Sequence, residues 1–451
     1  MNERNKLMAD QNISKLLLNL SAPATVGMLV QAMYNLTDTI FVGRGLGEHS
    51  TQGIAGIAIV FPIQMILMAV AMTIGLGGAS IISRSLGARD LQRAERTLGN
   101  MITLVLILSA FFTLLGSIYI VPLLGIFGAT PGILPFSFDY LSIILYGTVF
   151  FSFAMAINNV LRAEGNAKDA MLVMVISGVI NIILDPIFIF GFHMGVKGAA
   201  LATVIAQIIG AIYILQYFIS GRSIIALKVQ NLALQYNIVR ETFAIGISGF
   251  ARQASSSIVV VMINHNLGFY GGDIAIAVFG IINRLFMILL MPMFGTIQGM
   301  QPIVGFNYGA RNLIRVRDSV ILSIKVTSSI AVFGFLVLYL FPGQLFSIFT
   351  TDQQLIDSGI SSMRLVVLAF PLIGYQIVGS AFYQSIGRAR PSLILSLARQ
   401  VIFLIPLVII LPRFFELTGV WMAFPASDSL AFGLTYLMLS KELKLLNHPP
   451  L

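Results

Sequence analysis

Two aspartates sit where a carboxylate is expensive. Asp38 lies within the apolar stretch 16–42 and Asp185 within 169–192. An ionised carboxylate in hydrocarbon is costly unless paired, hydrated or protonated, so each needs a chemical reason. Gln31, Tyr34, Asn35 and Asp38 follow i, i+3, i+4, i+7 spacing, which puts four polar groups on one helix face. Asn181 precedes Asp185 by one turn and Pro186 follows it directly. Thr203 lies near the start of the stretch 197–220, and Tyr140 near the start of 137–161. With an inner N-terminus, all of these share an outer-half depth, Asp185 lying ~10 Å from the end of its helix. Two neighbouring carboxylates cannot both ionise cheaply. Ringed by Asn, Thr and Tyr oxygens, such a pair takes a proton or, fully ionised, holds Na⁺, with Asp38, Asn181, Asp185 and Thr203 as the Na⁺ ligands. That is the chemistry of a coupling-ion site. The plainer alternative is that Asp38 caps a helix end near Arg44 and Asp185 ties helices together; their common depth favours the pair.

The other half of the chain is different. Arg252, Arg284 and Arg399 lie near mid-span, with Asp428 at similar depth. A structural salt bridge between Asp428 and one of these arginines is the expected use.

The elements that must hold these groups follow from composition. Of 451 residues, 10% are charged and 57% hydrophobic, whereas soluble proteins carry about 25% charged residues. The chain is therefore expected to be an all-α polytopic membrane protein, with the lipid bilayer as its surroundings. Soluble enzymes and disordered proteins are excluded. The absence of cysteine removes disulfides and thiolate sites, and His49, His193, His265 and His448 show no metal-ligand spacing. No zinc motif or catalytic diad suggests an enzyme, and no cofactor beyond H⁺ or Na⁺ is implied. Twelve candidate spans emerge: 16–42, 53–80, 98–121, 137–161, 169–192, 197–220, 238–264, 273–298, 319–341, 360–385, 391–412 and 419–440. If the N-terminus is cytoplasmic, nineteen basic residues fall in inner segments and three in outer loops. That asymmetry supports both termini in the cytoplasm, and the net charge of +9 then carries no hint of nucleic acid.

The spans repeat. LGARDL at 86–91 matches YGARNL at 308–313, an offset of 222, and the same offset pairs Gly165 with Gly387 and Lys168 with Arg390. At that offset Asp38 maps to Val260 and Asp185 to Leu407. Two six-span lobes are expected, 1–220 and 241–451, joined by a cytoplasmic linker at 221–240. Six is even, so the repeat is parallel, a transporter plan. Gly75, Gly77 and Gly78 and the run Ser255–Ser257 read as close helix packing.

These features resemble the multidrug and toxic compound extrusion (MATE) family, in its DinF-like branch. The resemblance rests on MYNLTDTIFVGRGLG, SRSLGARD, NVLRAEGNAKDAM, NIILDPIFIF and GMQPIVGFNYGAR, and covers nearly the whole chain. It implies a V-shaped molecule in a prokaryotic cytoplasmic (inner) membrane, acting as a monomer. It further implies export of hydrophobic, often cationic amphipathic compounds in exchange for H⁺ or Na⁺. Asp38, Asp185, Tyr34, Tyr140, Asn181 and Thr203 match the coupling residues of the branch, and Pro23 its helix-bending proline. Gln31, Asn158, Asn159 and Met174 are expected to line the substrate cavity. A lipid-linked precursor flippase of the same superfamily is the alternative, and the buried arginines would suit its anionic headgroup.

Overall fold

The computed structural model describes residues 3–45 and 50–447, without the side chains of Asn35, Leu36, Thr39 and Asn447. His49 and His448 fall outside the described residues. A short α1 (Glu3–Asp10) leads into α2 (Ile13–Gly45), α3 (Ser50–Gly87) and α4 (Leu91–Ile118), and after a short α5 (Ile120–Ile126) come α6 (Leu134–Ala163), α7 (Ala167–Pro186) and α8 (Gly195–Ile219). The second half comprises α9 (Tyr236–Gly309), α10 (Leu313–Leu340), α11 (Pro342–Ser347), α12 (Gln353–Val366), α13 (Phe370–Ser385), α14 (Ala389–Leu397), α15 (Ile405–Ile410) and α16 (Pro412–Asn447).

Among the described residues, ten stretches of helix are long and apolar enough to cross a membrane. One of them, α9, is two helices folded at Gly272, whose φ of 64° and ψ of −160° only glycine adopts readily. The last helix, α16, breaks at Glu416, and its second part covers the stretch 419–440 expected as the twelfth span. Two π-helical turns interrupt the regular helices, at Ile187–Gly191 directly after α7 and at Ala398–Leu404 between α14 and α15.

The 222-residue offset is written in the backbone. Arg89 and Arg311 both end a helix at positive φ, 60° and 58°, and Gly165 and Gly387 do the same at 78° and 79°. Asp90 and Asn312 then cap the next helix in turn, accepting from the backbone N–H of Arg93 and Arg315.

Equivalent residues also meet. A Cβ on Gly87 would lie 1.8 Å from the Phe306 carbonyl oxygen, and one on Gly309 would lie 2.0 Å from that of Arg84. Since 87 and 309, and 84 and 306, are each one offset apart, α3 and the end of α9 touch reciprocally across a pseudo-twofold axis. The crossing of α3 with the start of α9 is as tight, Gly77 against the Thr242 carbonyl and Gly246 against that of Thr73. Its repeat, one residue adrift, is the crossing of α2 with the second part of α9, where Gly295 faces Thr25 and Gly299 faces Ser21.

The end carrying the interhelix loops at 88–90 and 310–312 is locked further. Glu241 accepts from both Arg84 and Arg93, at 2.9 and 2.5 Å. Ser80 donates to the Gln384 carbonyl at 2.7 Å. From α1, Arg4 donates to Tyr217 of α8 at 2.6 Å, while the Met8 carbonyl accepts from Asn307 and Arg315. The segment after α8 lies across α4: Asn100 donates to the Ala233 carbonyl and accepts from the Gln235 N–H, and Lys228 pairs with Glu95.

These links between the halves extend as far as Met28 with Gln298 and Met65 with Gln253. Among the described residues, none of these hydrogen bonds or glycine contacts joins the halves beyond Met28 on α2 or before Met65 on α3. The halves are joined at one end, and Asp38 lies on the opposite side of those links.

Candidate functional site

Small residues draw α2, α6, α7 and α8 together. A Cβ on Gly178 would meet Val30 at 2.9 Å and Tyr34 at 3.7 Å, so α2 lies directly against α7. Gly210 brings α8 to Ser177, and Gly147 brings α6 to Val204 on α8. Below the site α7 ends in Asp185–Pro186 and the π turn follows. Proline supplies no N–H, so the chain leaves the regular helix just after its carboxylate.

The helices bring the expected residues together. Asp185 is fully buried, and Asn181 is almost so. The Asn181 amide donates to Asp185 Oδ1 at 3.2 Å and lies 3.4 Å from Thr203 Oγ1. Tyr34 has Gln31 of its own helix beside it and is within electrostatic reach of Asp38 and Asp185. Tyr140, buried on α6, is within reach of both carboxylates as well. The two carboxylates also interact with each other. The side chain of Asn35 lies outside the described residues.

Three oxygens decide what this cluster can do. Asp38 Oδ1, Asp185 Oδ2 and Asn181 Oδ1 are buried and have no hydrogen-bond partner among the described residues. Each is an acceptor, or becomes one on ionisation, and an unmatched buried acceptor is costly. A proton on a carboxylate or a small cation among the oxygens would satisfy them, as would any neutral donor. An oxygen-only donor set of this kind suits a hard monovalent cation.

Gln64 on α3 escapes a reading of the sequence, yet its side chain lies close enough to the Tyr140 hydroxyl to act on it electrostatically. A lone glutamine inside the apolar run VFPIQMILM is the signal that could have found it. Pro23 sits inside α2, which runs through it without a break. Gln31 supports Tyr34, and Met174 packs against Gly27, whose Cβ would come 2.8 Å from its sulfur. Asn158 is buried and donates to the Ala170 carbonyl at 2.9 Å, tying α6 to α7. Asn159 donates to Met155 within α6 and also lines a cavity between the halves.

In the second half, Asp428 on α16 takes Arg399 as its partner, at 2.6 Å. The π turn at Ala398–Leu404 carries this arginine, and it also presents Gln400 to Ser256. Gln376 donates to the Asp428 carbonyl. Neither Arg252 nor Arg284 pairs with a carboxylate among the described residues, and Arg284 is exposed. Two basic residues counted as loop cations prove to be interior. Arg84 lies within α3 at the junction of the halves, and Arg162 ends α6 facing the interlobe cavity.

A model of the MatE family matches residues 23–187 and 244–410, two segments set at nearly the repeat offset. The multidrug export protein MepA of Staphylococcus haemolyticus (strain JCSC1435) is 28% identical over 435 residues, covering 96% of this chain and 94% of its own. Among solved structures, that of the MATE multidrug transporter DinF-BH is 43% identical, with a TM-score of 0.89 and 98% of each chain covered. That of a MATE protein in complex with MaD3S is 27% identical, with a TM-score of 0.92 and 99% of each chain covered.

Proposed function

The chain belongs to the MatE family and is a multi-pass multidrug efflux transporter of the V-shaped MATE fold, and from that premise we propose that it is a secondary antiporter coupled through Asp38 and Asp185. It exports hydrophobic and cationic small molecules in exchange for inward H⁺ or Na⁺. The observation that carries this reading is the set of three buried acceptor oxygens, on Asp38, Asn181 and Asp185, without donors among the described residues. Thr203 completes the donor set for Na⁺, and Tyr34 and Tyr140 set the field around it.

With both carboxylates ionised, Asp38 and Asp185 repel each other across the α2–α7 contact. Neutralising one lets α2 close on α7. Pro23 leaves one carbonyl of the preceding turn without its N–H partner, so α2 has a hinge there. Bending at that hinge shrinks the space beside Gln31, Asn159 and Met174, where we assign the substrate. Ion and substrate then favour different states, and each weakens the other's binding. The lobes run 1–220 and 241–451, with 221–240 as their cytoplasmic linker. Both termini are cytoplasmic, the membrane is the bacterial inner membrane, and the protein works as a monomer.

The test is ethidium efflux from proteoliposomes under a pH gradient and a Na⁺ gradient imposed separately. Asp38→Asn and Asp185→Asn should each abolish gradient-driven efflux. Full efflux by both variants would overturn the coupling assignment.

A further inference from the structure

A second polar site lies away from the aspartates, at the joined end of the molecule. It is a cavity bounded by α3 and α6 from the first half and by α9 and α13 from the second. Arg162, Asn159, Gln298, Gln301, Gln384 and Ser80 supply its polar lining. Met174 separates it from the coupling site: it touches Arg162 and Gly27 and lies eleven residues before Asp185 on α7, ~16 Å along the helix.

Arg162 is the unusual member. A guanidinium has five N–H donors, and its one hydrogen-bond partner among the described residues is the Met174 thioether, at 3.4 Å. No carboxylate lies within ion-pair distance among those residues. Glu164, two positions on, is taken by the Ser223 hydroxyl, the Ile224 N–H, the Tyr217 hydroxyl and Arg4. The last carbonyls of α6 offer the arginine at most about half a charge. Arg162 is only partly accessible, and it lines the cavity. An interior cation without a counter-charge is strongly unfavourable.

The neighbours suit an anion as well. The Gln301 amide uses one N–H on Gln384, at 2.8 Å, and keeps a second. Asn159 likewise spends one N–H on its own helix. Gln298 has a buried oxygen without a partner, while its nitrogen meets only the sulfur of Met28, at 3.3 Å, so in either orientation this amide has a polar atom unspent. One cation surrounded by neutral amides balances one negative charge.

We propose that Arg162, with the amides of Asn159, Gln298 and Gln301, binds a small monovalent anion or a carboxylate group between the two halves. Because α3, α6, α9 and α13 all contribute, an anion there fastens the halves together at this end. It favours the state in which they are joined, and its affinity falls when they part. This site stands independently of the coupling role of Asp38 and Asp185.

The experiment is thermal unfolding of the purified protein in sodium HEPES, whose bulky sulfonate is neither a small anion nor a carboxylate, with chloride or benzoate replacing it at constant ionic strength. A saturable rise in Tm of at least about 2 °C is expected, and it should vanish in Arg162→Gln. A rise with chloride identifies an inorganic anion. A rise with benzoate alone identifies a carboxylate ligand. No rise with either, or an equal rise in Arg162→Gln, overturns the proposal. If Arg162→Gln does not fold, crystals of the unaltered protein grown in bromide decide. An anomalous peak beside the Arg162 guanidinium supports the site, and its absence there overturns it.

Discussion

Gly87→Ala should pry the two halves apart where they are joined. The new Cβ would sit 1.8 Å from the Phe306 carbonyl oxygen and 3.0 Å from the Ala310 nitrogen. Carbon–oxygen contacts across packed backbones settle at about 3.3–3.6 Å, so the chains must separate by about 1.5 Å. The obstructing atoms are main chain, so no rotamer change relieves them. Forcing one methyl group into such a contact costs about 1–3 kcal/mol. That cost falls only on states that keep the contact, and it shifts the equilibrium toward parted halves by about 5- to 150-fold. Gly309→Ala should act alike, since its Cβ would lie 2.0 Å from the Arg84 carbonyl. Gly132→Ala is the control, because no atom lies within 4 Å of a Cβ there. The chain has no cysteine, so nitroxide pairs can be introduced through Gln92→Cys and Ile314→Cys, both at exposed positions. Pulsed electron paramagnetic resonance should show a longer-distance population in Gly87→Ala and Gly309→Ala and none in the control. An unchanged distance distribution in Gly87→Ala, with an unchanged unfolding temperature, would show that this crossing does not hold the halves together.

Other outcomes follow from single contacts. Removing one partner of the Arg399–Asp428 pair, as in Arg399→Gln, strands a buried carboxylate and should cost about 3–5 kcal/mol in thermal or denaturant unfolding, whereas Arg399→Met with Asp428→Leu should be neutral or stabilising. Asn100→Ala frees the Ala233 carbonyl and the Gln235 N–H together, at about 1–3 kcal/mol, and should speed proteolytic cutting of the segment after α8. Burial holds the Glu164 carboxyl above its usual range, although hydrogen bonds from Ser223, Ile224 and Tyr217 and the charge of Arg4 oppose the shift. A raised carboxyl pKa means that the folded state keeps the proton longer than the unfolded chain does. The stability this contributes is fully present below the ordinary value of 4.5 and is lost as pH rises through the raised one. Glu164→Gln should flatten that part of the stability profile; an unaltered slope would count against it.

Read along the chain alone, the residues show what a bilayer penalises or orders one position at a time. Too few charges for a soluble surface, long apolar runs and acids inside them are all visible along a single helix, because the cost of each is paid locally. Asp38, Asp185 and the face of Tyr34 were therefore legible before any helix was placed. So was the repeat, since Arg89 and Arg311, or Gly165 and Gly387, keep the same backbone twist wherever their helices go. What needed the tertiary structure was every choice among partners. Arg252, Arg284 and Arg399 are alike in composition and depth, and only packing, with a π turn to carry it, gives Asp428 to Arg399. Arg162 reads as one more positive charge at the end of a span until the second half of the chain closes over it with Gln298, Gln301 and Gln384. Gly87 and Gly309 look like two loop glycines until the lobes bring each onto the other's helix. Local cost is written in the order of the residues, whereas an interaction between distant residues is decided by which surfaces the whole chain can bury at once.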